Sequence, residues 1–190
     1  LITSKMIAVF VGPGGMAYIG NFRNFMTSLE GISTLAFSSG VVKYVGENED
    51  KEKELTKIIT TVLVTFLVFS TVLGFLIFVF SDFLCAKFFG NNLQYEIVFK
   101  VVAIVLPFSV VSVLFVSIIN GLGSYSKLIY ATIISNIVAL VLTVLLIYEF
   151  KLVGALLSTA LNPTILFTIN FFYVPKELQL LSRINLKQYD

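Results

Sequence analysis

The chain has 190 residues, of which 57% are apolar and only 13% charged, with a net charge of +2 and a mean hydropathy of +0.97. A soluble fold of this composition would expose apolar patches far beyond those that monomers carry, so the bilayer is the solvent it suits. With no His and a single Cys, Cys85, the chain has no histidine metal site, catalytic triad or internal disulfide, and its dispersed basic residues form no nucleic-acid footprint.

A membrane-spanning helix needs about 20 apolar residues. Residues 1–11 read as the end of a first span. They do not read as a signal peptide, because no basic leader precedes them and no cleavage site follows. The chain is therefore expected to be the ordered part of a longer protein. Gly12-Pro13-Gly14-Gly15 breaks this first segment.

Residues 19–45 are long enough to span, but carry Asn21, Arg23, Asn24, Glu30, Ser33, Ser38 and Ser39. A hydropathy threshold passes over such a segment. It is expected to cross as one helix with a face turned away from lipid. The run 46–57 mixes both charge signs and reads as a solvated loop.

Residues 58–80 and 97–119 are strong spans, joined by a polar connection over 81–96. A Gly/Ser turn over 120–127 leads into spans 128–150 and 152–174, with the tightest reversal around Lys151. The tail 175–190 is polar with spaced apolar residues, as in a short helix lying on the membrane surface. The expected architecture is an all-α membrane protein: a bundle of six transmembrane helices over 1–174, then a tail or linker.

Alternate connections fall on opposite sides of the membrane. One side collects Lys43, Lys51, Lys53, Lys57, Lys127, Lys176, Arg183 and Lys187, the other Lys87, Lys100 and Lys151. The positive-inside bias makes the first side cytoplasmic, and with it the C-terminal tail.

A charge near the centre of a span costs about 2.5–3.5 kcal/mol on insertion scales, so Arg23 and Glu30 are the most informative residues. Seven apart, they share a helix face. If the first two segments form a hairpin around 12–15, Lys5 reaches the depth of Glu30 and can pair with it. Arg23 is then left for another partner, and a guanidinium suits phosphate. The neutral polar residues of this segment suit interhelical hydrogen bonds, while Asn120 and Asn136 are weaker site candidates than Arg23, and Asn120 also suits the end of its helix. Pro107 and Pro163 lie inside spans, as ordinary kinks or as hinges. No GxxxxGK[ST] loop is present, so the chain has no ATP phosphate cradle of that type.

Lys5 with its apolar run, Gly12-Pro13 with Gly15, Asn21-Phe22-Arg23 and Gly40-Val41-Val42-Lys43-Tyr44-Val45 resemble the N-terminal region of Wzx-type O-antigen translocases, above all the WzxE-like branch. The Asn120-Gly121-Leu122-Gly123 turn is also similar to a loop of that family. These are lipid-linked oligosaccharide flippases of the MOP exporter superfamily, with two lobes of about six helices around a central cavity.

The resemblance implies that this chain is a first, N-terminal lobe. It implies an undecaprenyl-pyrophosphate-linked repeat unit as substrate, moved by alternating access in the bacterial inner membrane. It implies Lys5, Arg23 and Lys43 as substrate-path residues, and polysaccharide polymerase and chain-length machinery as partners. Glu30 matches no family motif, so its role as an ion pair or coupling site rests on its depth alone. The second lobe is a departure: a chain ending at Asp190 would need to dimerise to enclose a cavity, and truncation is the expected explanation. The function expected is transport, not enzymatic, and without a cofactor. The other readings are a MATE-like ion-coupled exporter of small amphipathic molecules and a scaffold for envelope assembly.

Overall fold

The computed structural model describes residues 2–48, 51–90, 92–123 and 125–173. Among them the chain forms six α-helices and no strand: α1 (Ile2–Ser33), α2 (Ser38–Glu47), α3 (Glu52–Val79), α4 (Ser81–Phe89), α5 (Glu96–Gly121) and α6 (Tyr125–Tyr173). A 3₁₀ turn over Leu93–Tyr95 leads into α5. The tail expected as a surface helix over 175–190 lies outside the described residues.

Among the described residues three stretches are long and apolar enough to cross a membrane: Lys53–Val79, Glu96–Gly121 and Leu128–Phe172. The last, at 45 residues, has an unbroken helical length of about 68 Å, roughly twice a hydrocarbon core. It is broken at Lys151 (φ 50, ψ −120) into two arms, each about the length of an ordinary span. The chain turns back on itself there: a Cβ added at Gly154 would overlap the carbonyl of Leu146, so only glycine permits that contact.

Helix α5 is the centre of the bundle. About two thirds of its apolar stretch is buried, against about a fifth for the other two. Its first half packs with α1, α4 and α6 around Phe22, Phe99, Val102, Leu106 and Leu156. Rings of Phe22, Phe25, Phe88 and Phe89 surround Phe99 with centroids 5.8–6.2 Å away, closing this end with aromatic side chains. The second half packs with α2 and α3 through Val41, Val45, Leu55, Ile59, Leu114 and Ile118. Gly121 lets α2 in closely: a Cβ there would meet Val45 Cβ at 2.7 Å.

Two expectations change. The breaker at 12–15 narrows to Gly12 (φ 78, ψ 175), a conformation that favours glycine, and Pro13 opens the helical turn that follows. The single helix expected over 19–45 is interrupted at 34–37. Ala36 N–H donates to Gly31 O at 2.9 Å and Leu35 N–H to Ile32 O at 3.0 Å, the paired bonds of a Schellman cap. Leu35 (φ 50) takes the left-handed position usually filled by glycine. No Gly or Pro marks the spot, so propensity gives no warning of it.

The connections are also more helical than expected. Helix α3 starts at Glu52, inside the charge run, and α4 fills most of the 81–96 connection. Lys51 pairs with Glu54 at 3.4 Å on the exposed surface, and Lys100 pairs with Glu96. Cys85 is buried, and its thiol donates to Asn92 O at 3.3 Å.

Candidate functional site: a polar cavity within the bundle

A cavity of about 960 Å³ opens between α1, α2, α5 and both arms of α6. Its α5 lining comes only from the second half of that helix, from Ser109 to Asn120. The cavity thus occupies the end of the bundle where α5 stops and α6 begins. The aromatic cluster and the apolar residues packed around it fill the other end.

Helix α1 contributes Arg23, Met26, Thr27 and Glu30, residues three and four apart on one face. Arg23 and Glu30, paired by spacing alone in the sequence, therefore line one space. Neither makes a salt bridge among the described residues. Among the described residues they are the only ionisable ones in the lining. The interruption after Ser33 brings the first turn of α2 to the wall, where Ser38 and Ser39 sit. No side chain caps that helix start.

The remaining candidates separate. Lys43 is not in the lining: its ammonium is 71% exposed and lies 3.8 Å from Glu47, one turn along α2. Lys5 belongs to α1, but its side chain lies outside the described residues, as does any pair with Glu30. Asn21 and Asn24 are exposed on α1 outside the lining, whereas Asn120 and Asn136 line it. Pro163 lines the cavity, and α6 continues through it, as α5 does through Pro107.

Most of the polar wall was not singled out from sequence. It includes Ser109, Ser112 and Ser117 on α5, Thr132, Ser135 and Thr143 on the first arm of α6, and Ser158, Thr159 and Asn162 on the second. The signal was present as polar residues recurring at helical spacing inside apolar runs. Ser109, Ser112, Ser117 and Asn120 form such a stripe, and so do Thr132, Ser135, Asn136 and Thr143. Among the described residues no Phe or Tyr lines the cavity, although the chain has 19 Phe and 8 Tyr. Among the described residues no three metal-ligating side chains come together. The lining can hold one anionic group near Arg23 and hydrogen-bond an uncharged polar group along α5 and α6.

Residues 23–189 match the family described as polysaccharide biosynthesis protein. The chain is 28% identical over 187 residues to a lipid III flippase of Escherichia coli (strain K12), and to the same extent to a lipid III flippase of Shigella flexneri. Each alignment covers 96% of this chain and 42% of the relative, so the chain spans less than half the length of these relatives. No solved structure gives a significant match.

Proposed function

The chain belongs to the polysaccharide biosynthesis protein family, and from that premise we propose that it forms one lobe of a flippase for a lipid-linked oligosaccharide. The substrate of this proposal is an undecaprenyl-pyrophosphate-linked repeat unit, carried from the cytoplasmic to the periplasmic leaflet of the inner membrane by alternating access. The observation that carries it is the cavity: a polar space inside apolar helices, with Arg23 the one cation among the described residues that line it.

Arg23 takes the pyrophosphate through charge-assisted hydrogen bonds. The uncapped start of α2, at Ser38 and Ser39, adds the positive end of a helix dipole on the same side of the cavity. Binding needs no bond made or broken, so the site has no call for a nucleophile or an acid–base pair. Glu30 is the coupling group of this proposal, the carboxylate through which an ion gradient acts on the same cavity. Lys5 belongs to the substrate path on the strength of the resemblance alone. The polymerase and chain-length machinery that consume flipped repeats are the partners such a role calls for. The C-terminal tail is cytoplasmic by the charge bias.

An exporter of small amphipathic molecules would draw on Glu30 as well. The lining argues against it, because its described residues include no aromatic ring and offer flat hydrophobic compounds little to stack on. A scaffold would leave the cavity and its unpaired Arg23 without use.

The test is Arg23→Ala in a strain whose surface glycan depends on this protein. Glycan display should fall sharply at normal protein level, and Arg23→Lys should restore only part of it, since a point charge replaces the bidentate fork. Normal display by Arg23→Ala would refute Arg23 as the phosphate contact.

A further inference from the structure

We propose that Asn170 is a further substrate contact, shut off from the cavity in this conformation and brought into it by a turn of the second arm of α6 about Pro163. This rests on the flippase reading and adds a residue that works in a second state of the transport cycle.

Asn170 is fully buried, and neither its Oδ1 nor its Nδ2 has a hydrogen-bond partner. A buried carboxamide with both ends unpaired is costly, the more so among helices that face lipid. Neighbouring side chains show that the arm can pair its polar groups. Ser158 and Thr159 both donate to Ala155 O at 2.9 Å, and Thr168 donates to Thr164 O at 2.8 Å. An asparagine that glued two helices together would be bonded across them, and this one is not. A group held at such a cost is explained by a state in which it is used.

Its place on the helix says where that use lies. Asn170 follows Pro163 by seven residues and Leu166 by four, and both of those line the cavity. About 40° of helix rotation separates the direction of Asn170 from that of Leu166. The second arm runs alongside α5. Leu156 packs with the first half of α5, while the Phe167 ring lies 6.1 Å from that of Phe108 and 5.5 Å from that of Phe115. Asn170, one turn past Phe167, therefore stands at about the height of the α5 lining that ends at Asn120, beside the cavity but outside it.

The arm is built to turn there. Pro163 has no N–H to give to Thr159 O, so the residues beyond it are held to the arm by one bond fewer. Thr164, next in the chain, also has a buried Oγ1 without a partner. The ring contacts of Phe167 hold this part of the arm to α5. They are apolar and without direction, so a rotation slides them without breaking a hydrogen bond. Once in the cavity, the Asn170 amide can donate and accept at once, which a hydroxyl, an acetamido group or a phosphate oxygen can each answer.

The experiment uses the complete protein. Asn170→Leu keeps the size of the side chain and removes the unpaired amide. It should raise the unfolding temperature by about 2 °C or more. Glycan display should nevertheless fall about fivefold or more at normal protein level, as expected when a hydrogen bond to the substrate is lost. Asn170→Cys, in a background freed of other cysteines, should react with a small water-soluble thiol reagent. Adding Pro163→Ala restores the helix bond and should slow that reaction about fivefold or more, by disfavouring the turned state.

Asn170→Leu that gains stability and displays glycan normally makes Asn170 a passive core residue and overturns the proposal. Asn170→Leu that gains no stability overturns it too, because the amide then has a partner in the folded state. Asn170→Cys that never reacts, or reacts equally fast with Pro163→Ala, overturns the turn of the arm. The flippase reading survives each of these. It fails by itself if the wild type supports no glycan display, whereas the stability and labelling results are read without any substrate.

Discussion

Gly74 of α3 lies against the carbonyl oxygen of Ala103 on α5, and a Cβ placed on Gly74 would stand 2.6 Å from that oxygen. Pro107 has no N–H, so Ala103 O is the carbonyl that loses its donor four residues on. The glycine gives the freed carbonyl room at the α3–α5 interface. Gly74→Ala should therefore lower stability by about 1–3 kcal/mol through overpacking. Pro107→Ala in the same chain should recover part of it, because a restored N–H draws the carbonyl back into the helix. Thermal unfolding of the purified variants measures both effects, and additive losses would sink the coupling.

The Schellman cap after α1 makes a second prediction. Leu35 holds φ 50 in the position that glycine occupies without penalty, a conformation costing about 1–2 kcal/mol for an L-residue. Leu35→Gly should raise the unfolding temperature slightly or leave it unchanged, although glycine normally destabilises a helical chain. Leu35→Val should lower it. A lower unfolding temperature for Leu35→Gly would show that the bend is held by the leucine side chain instead.

Lys43 and Glu30 should separate in function. Lys43 pairs with Glu47 on an exposed face, an interaction worth a few tenths of a kcal/mol, and stays out of the cavity. Lys43→Gln should leave glycan display and stability close to wild type. Glu30→Gln removes the cavity's carboxylate and should slow transport and reduce its dependence on an ion gradient. Transport assays in vesicles with and without the gradient distinguish the two. Unchanged gradient dependence in Glu30→Gln would remove it as the coupling group.

Cys85 gives a pH-dependent test. It is 1% exposed. Burial pushes its thiol above the ordinary range, and the nearby charges of Glu96 and Asp82 add to this, against a backbone hydrogen bond at Tyr95 that acts the other way. A raised value means the thiol keeps its proton as pH rises through the usual thiol range. Alkylation of the folded protein should stay slow through that range and speed up only at higher pH, while the unfolded chain reacts at ordinary rates. Rapid labelling at neutral pH would contradict the buried position.

Much of the membrane architecture was legible in the chain. Residues 58–79, 97–119, 128–150 and 152–173 of the expected spans lie within α3, α5 and the two arms of α6, because long apolar runs have one stable form in lipid, where each backbone group must be bonded within its own segment. Arg23 and Glu30 were legible for the converse reason: a charge in an apolar segment costs too much to persist without a partner or a space to face. The interruption at 34–37 was not legible. Leu35 and Ala36 at its centre are good helix formers, and the cap that bends them depends on bonds that spacing does not reveal.

The sequence by itself determined that the chain is helical, built for a bilayer and marked by a rare intramembrane Arg and Glu. These follow from local composition and from energies charged residue by residue. Only the tertiary structure decided that Arg23 and Glu30 share a cavity with the α5–α6 hydroxyls, and that Lys43 does not. A polar stripe on one helix is compatible with interhelical glue or with a site. Which it becomes depends on whether four helices leave a space where their stripes meet, and that is a property of packing.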